Sequence, residues 1–328
     1  MLKSAEMRQR SGAWIVGIGL TLSMLMSLGV RAQEVFPSRL VTVVVPQPAG
    51  AFADTLGRLM APAVSERLGQ PVIIENRPGA GGVVGLTLTA QAKPDGYVVC
   101  IANSGGVLAA LMTKDLKFDP SKDLSAVAML VKLYSAWVTT PGSRFKSLAD
   151  VVAESKARPG TISFATIGGG NKIVLARISN AAGSEFNQIP YASGSAAVTA
   201  LLGGHVDIAI DTAGSAARLV SEGKVRALAV TSLGPNSLLP GVLSLATVVP
   251  GLELASWNGL VAPAGTPADR ISKLNLEFNT ALQSARVREV STTAAMEIAP
   301  MTPGDFGAYM AKEINTAIPV IKQYNLTN

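Results

Sequence analysis

The chain has 328 residues, of which 48% are hydrophobic, 5% aromatic and 15% charged, with 32 glycines. That length suffices for two domains with real cores, and the composition excludes a disordered chain. The formal charge is +6. Lys3, Arg8, Arg10 and Arg31 against Glu6 put half of it in the first 32 residues, and no run of Lys and Arg is interleaved with aromatics, which excludes a nucleic-acid partner.

In chain order, residues 1–32 read as an export signal. Lys3, Arg8 and Arg10 form a positive start, Ala13 to Val30 is apolar, and Val30-Arg31-Ala32 sets small residues for a cut before Gln33. A retained anchor is the competing reading, since the apolar stretch is near the lower limit for spanning. After the leader, short β-branched runs alternate with amphipathic or alanine-rich segments. Strands are expected at Leu40–Val45, Pro71–Glu75, Tyr97–Ala102, Ala136–Thr140, Ile162–Ala165, Val206–Ile210, Arg226–Thr231 and Gly259–Ala262. Helices are expected at Asp54–Leu68, Gly85–Ala92, Leu148–Ala157, Val174–Ala182, Ser195–Leu202, Ala216–Glu222 and Asp269–Leu282. A last helix, Phe306 to Tyr324, should be interrupted by Pro319. The alternation implies an α/β protein with parallel sheets, helices on both faces and binding sites at the carboxyl ends of the strands.

Two glycine loops follow the first two strands. The first is Pro46-Gln47-Pro48-Ala49-Gly50-Ala51-Phe52-Ala53-Asp54, with Asp54 as the expected N-cap of the next helix. The second is Glu75-Asn76-Arg77-Pro78-Gly79-Ala80-Gly81-Gly82. A helix start behind a glycine turn presents unpaired N–H groups and a positive dipole end, which suits a small anion. That reading fits the first loop, while the second can brace a turn by itself.

Catalysis finds no support. One histidine (His205, in a turn expected to be exposed) and one cysteine (Cys100, in an apolar strand) form no nucleophile–base pair, and no cluster has metal spacing. The glycine loops match neither phosphate-binding fingerprint. No catalytic residue, cofactor or metal is therefore expected.

These segments together resemble one family: the periplasmic solute-binding proteins of tripartite tricarboxylate transporters, or Bug-type receptors. The resemblance rests on the ordered set Pro46 to Asp54, Glu75 to Gly82, Pro94-Asp95-Gly96-Tyr97, Pro190-Tyr191, Leu201 to Asp207, Gly223 to Thr231 and Ala262 to Pro267. It implies a two-domain Venus flytrap of the type II periplasmic binding-protein kind, with the ligand cleft between the domains. The boundaries expected are 33–135 and 253–328 for the first domain and 136–252 for the second. Such a protein is monomeric, captures a small organic carboxylate and delivers it to a membrane transporter. A sensor subunit of a signalling system is the alternative.

In that family backbone and small polar groups from several loops grip the ligand. Carried over, they are Pro48, Ala49, Gly50, Ala51 and Phe52; Asn103, Ser104 and Gly105; Thr166, Gly168, Gly169, Asn171 and Lys172; Ala192, Ser193 and Gly194; and Asp211. Gln47, Ala51 and Lys172 depart from the common pattern. Lys172 is either a solvated lysine or a carboxylate partner. Asp211 either accepts a ligand donor or caps the following helix. Trp257 either packs on the strand returning between the domains or walls the cleft.

Overall fold

Valine and threonine side chains on both faces make Val41–Val45 a strand suited to burial on both sides (β1), and it lies in the middle of a parallel trio. It pairs with Val72–Asn76 (β2) through Val43↔Ile74 and with Val98–Asn103 (β3) through Val43↔Val99. The computed structural model that shows this describes residues 35–167, 175–180, 183–191, 193–293 and 296–327. Contacts divide the chain at Ser38, and Arg39–Asn328 is one compact unit. The expected leader, with its cut before Gln33, lies outside the described residues.

Between β1 and β2 runs α1 (Phe52–Leu68), which buries Leu56, Met60, Val64 and Leu68 and closes on Gly69 at φ 68. Asp54 is not its N-cap. The helix starts two residues earlier, Ala51 holds the cap position without a side-chain bond, and Asp54 reaches back from the first turn. A short 3₁₀ turn (Ala80–Gly82) then leads into α2 (Val83–Ala90), and β3 leads into α3 (Ser104–Met112). Gly82, at φ 107, lies against the Gly106 Cα, so the second loop and the start of α3 touch backbone to backbone.

The next strand is far longer than expected. β4 (Leu124–Thr139) spans 16 residues, with register shifts near Val127 and Leu130. Its first part pairs antiparallel with β9 (Ala255–Pro263), up to Tyr134↔Ala255. Its last residues pair antiparallel with β7 (Ile208–Thr212) on one edge and β8 (Arg226–Val230) on the other. β5 (Ser163–Ile167) joins β7 and β6 (Asn187–Tyr191) in parallel, and the two-residue β10 (Glu297–Ile298) pairs with β4 at Val131 and Lys132. The sheet order is β2-β1-β3-β9-β4-β7-β5-β6. The all-parallel expectation is thus corrected to a mixed sheet. β4 and β9 carry the chain between two halves as antiparallel neighbours, without a helical crossover.

Helices cover both faces. They are α4 (Leu148–Ala157), a helical stretch at 175–180, α5 (Gly194–Leu202), α6 (Ala213–Ser221), α7 (Ala268–Leu282), α8 (Ala285–Thr293) and α9 (Pro303–Gln323). Strand periodicity divides the core of the second half. Ala136 and Val138 face a cluster with Val198, Leu201 and Ala216, whereas Trp137 faces Phe164, Leu148 and Ile178 on the other side. In the first half Trp257 lies edge-on to Phe306, centroids 5.2 Å apart, beside Leu86, Met129 and Met310. Pro319 does not break α9, which runs through it to Gln323. The result is an α/β fold of two halves joined by β4 and β9.

Candidate functional site

A cavity of about 580 Å³ opens at the carboxyl ends of β3, β5, β7 and β8, bordered by the approach to β9 and by α9. Three helices begin at its wall. α3 starts with Asn103, whose Oδ1 accepts the Gly106 N–H at 2.7 Å. α5 starts with Ser193, whose Oγ accepts the Ala196 N–H at 3.2 Å, and α6 with Thr212, whose Oγ1 accepts the Ser215 N–H at 3.3 Å. Each cap takes one N–H and leaves the earlier amides of its helix to other partners. Asn103, Ser104, Gly105, Gly194 and Thr212 line the cavity, so three positive dipole ends meet one space.

Charged side chains complete the wall. Arg177, from the helical stretch at 175–180, is partly buried and makes no hydrogen bond or ion pair among the described residues. Burial pulls its guanidinium below the usual range, and the nearby Glu313 carboxylate opposes that. Glu313, on α9, accepts the Trp257 Nε1–H at 2.6 Å. Burial pushes its carboxyl up to about 7, against the pull of Trp257 and Arg177. Glu253 is already answered: it accepts the Lys132 ammonium at 3.0 Å and the Tyr134 hydroxyl at 2.8 Å. Lys132, 8% exposed, also sits 4.7 Å from the centre of the Tyr309 ring. Burial, first of all, raises both tyrosine hydroxyls, so they remain neutral donors.

The sequence-expected residues fall into three groups. Asn103, Ser104, Gly105, Gly194 and Asp211 come together on the cavity wall. Thr166 is buried beside the lining residue Ile167, with an unpartnered hydroxyl, and Ser193 caps α5 next to Gly194. Pro48, Ala49, Gly50, Ala51 and Phe52 are not among the lining residues. Their loop spends its amides on itself: Gly50 donates to Asp54 Oδ2 at 2.8 Å, Ala51 to the Pro48 carbonyl at 3.1 Å, and Ala53 to Gln47 Oε1 at 3.2 Å. Gly168, Gly169, Asn171, Lys172 and Ala192 lie outside the described residues.

Asp211 does not cap α6; Thr212 does. Asp211 Oδ1 instead accepts the Thr212 N–H at 2.8 Å, and its Oδ2 is buried without a partner. Trp257 is fully buried; its indole donates to Glu313 and its backbone N–H to the Ser104 Oγ at 3.4 Å, both on the cavity wall. His205 is exposed in its turn. Cys100 is buried in β3, where desolvation pushes its thiol up to about 12. Among the described residues no His, Cys, Asp and Glu gather in a metal-binding group, and no helix is long and apolar enough to cross a membrane.

Sequence reading missed Arg177, Glu313 and Glu253. Arg177 had a visible signal, since it is the lone charge in Ile173-Val174-Leu175-Ala176-Arg177-Ile178 directly after a glycine loop. Glu313 had none, because its partners come from β9 and from 175–180.

A solute-sized cavity walled by three helix starts is the geometry of a binding site for a small solute. Residues 56–326 match the tripartite tricarboxylate transporter family receptor, and the chain belongs to that family of non-enzymatic periplasmic solute-binding receptors. It is 33% identical over 314 residues to a UPF0065 protein from the tcbD–tcbE intergenic region of Pseudomonas sp. strain P51, covering 94% of this chain and 93% of that protein. Among solved structures it is similar to a TctC solute-binding protein from Polaromonas, with TM-score 0.78 and 27% identity over 88% of this chain and 99% of the other. It is also similar to MatC of Rhodopseudomonas palustris with bound malate, with TM-score 0.68 and 28% identity over 87% and 100% of the two chains.

Proposed function

We propose that this protein is a monomeric periplasmic receptor that captures a small organic carboxylate and hands it to a membrane transporter of the tripartite tricarboxylate class. The observation that carries this is Arg177. A partly buried guanidinium without an ion pair among the described residues, on the same wall as three helix starts, calls for an anion of solute size. The volume suits a small acid. On this reading one lobe comprises 33–135 and 253–328 and the other 136–252. The change of β4 from β9 to β7 and β8 at Ser135 supports that division. Arg177 then belongs to one lobe and Glu313 to the other, so a ligand between them gains contacts with both only when the lobes close. The leader would be cut before Gln33 during export.

Native mass spectrometry of protein isolated from a periplasmic extract tests this proposal. The expected result is a bound small acid, released chemically unchanged on unfolding. A bound sugar or metal ion, or recovery of an altered solute, would overturn it.

A further inference from the structure

Among the described residues the cavity wall carries three acids against two cations. Its charged residues are Arg177, Lys312, Asp211, Glu253 and Glu313. Lys312 is exposed, and Glu253 is held by Lys132 and Tyr134. Among the described residues that leaves one desolvated cation, Arg177, against Glu313 and Asp211. Both acids keep an oxygen unspent. Glu313 uses Oε2 for Trp257, and its Oε1 has no hydrogen-bond partner. Asp211 is 8% exposed, and its Oδ2 has none either.

We infer that Glu313 sets the charge this site accepts: it admits a solute with a single ionised carboxylate and a hydrogen-bond donor close by, and it turns away a second ionised carboxylate. This rests on the carboxylate-receptor reading above and narrows it. A first carboxylate is answered by Arg177 and the helix starts. A second finds no unpaired buried cation among the described residues and meets Glu313, whose position is fixed by the bond from the buried Trp257 indole. Above about pH 7 Glu313 is ionised, and like charges at close range in a partly desolvated site then repel strongly. A hydroxyl or ammonium in the same place gives Glu313 Oε1 the donor it lacks.

The test uses the whole mature protein and calorimetric titration at pH 8, where Glu313 is ionised, with matched acids of three to six carbons. The unsubstituted, ω-hydroxy and ω-amino monocarboxylates are compared with the α,ω-dicarboxylates. On the unaltered protein the tightest binder should be a monocarboxylate with a donor, at least tenfold tighter than the dicarboxylate of equal length. Glu313→Gln keeps the shape and removes the charge. It should improve dicarboxylate binding about tenfold or more and leave the unsubstituted monocarboxylate within about threefold. If a dicarboxylate binds best to the unaltered protein, or if Glu313→Gln folds and changes neither class, the inference fails while the carboxylate reading stands. If no acid of either kind binds, the carboxylate reading itself fails and takes this inference with it.

Discussion

Glu313 gives the protein a pH dependence whose sign can be worked out. Its carboxyl goes from its ordinary 4.5 to about 7, because burial on α9 outweighs the Trp257 N–H and the facing Arg177. Tyr309, one turn away, stays neutral throughout this range. The folded protein therefore holds this proton more tightly than the unfolded chain does. Its contribution is fully present below about pH 4.5 and is lost as pH rises toward 7. At roughly 1.4 kcal/mol per pH unit of displacement, the loss amounts to about 3 kcal/mol. Glu313→Gln removes this titration and keeps an acceptor for Trp257. The variant should match the unaltered protein near pH 5 and be more stable than it by about 2–3 kcal/mol near pH 8. Urea unfolding of both proteins at intervals between pH 5 and 8 measures the difference, in which the other titrating groups cancel. A difference that stays flat across this range would refute the reasoning and place an ionised Glu313 in the fold at neutral pH.

Arg177→Met keeps an apolar stem and removes the charge, so carboxylate affinity should fall by about 1.5–3 kcal/mol with little change in stability, as read by calorimetry and thermal melts. Asp54 accepts from Gly50 N–H, Arg58 Nε and Asn76 Nδ2 at 2.8–2.9 Å, and the Arg58 bond first of all lowers its carboxyl to about 2. Asp54→Ala should cost about 2–3 kcal/mol in urea unfolding and leave affinity unchanged, since the loop above it does not line the cavity. A Cβ at Gly259 would stand 2.3 Å from the Phe306 ring and 3.1 Å from the Ala128 carbonyl. Gly259→Ala should therefore destabilise by about 1–3 kcal/mol, which chemical denaturation would detect.

Much of this fold could be read from local pattern. β1, β2, β3 and α4 lie within a residue or so of their expected places, because β-branched runs and the Ser147–Asp150 capping box are local signals. α3 escaped, because Ser104-Gly105-Gly106 reads as a loop; only its packing on the second glycine loop and β9 makes it a helix. The first part of β4 escaped too. Its face carries Lys132, a residue that belongs on a buried strand only once Glu253 and Tyr309 are there to meet it. The site divides in the same way. Asp211 lies where an apolar strand ends, a place where clefts form, whereas Asn103 and Gly194 were expected from the family resemblance; all three line the cavity. Glu313 was not legible, since Trp257 and Arg177, the groups that act on it, come from elements distant in sequence, while Arg177 carried a local signal. In the first glycine loop the structure corrects the cap: Asp54, expected at the N-cap, instead accepts the Gly50 N–H from the first turn of α1.

The most direct test of the central claim is a thermal-melt screen of the mature protein against small mono- and dicarboxylates, neutral sugars and cations. Binding to the native state alone stabilises by about 2.7 kcal/mol at a hundredfold excess over Kd, so a genuine ligand raises the midpoint by several degrees. The account predicts that organic carboxylates alone raise it, and that Arg177→Met loses most of the shift. A midpoint raised only by neutral or cationic solutes would contradict it.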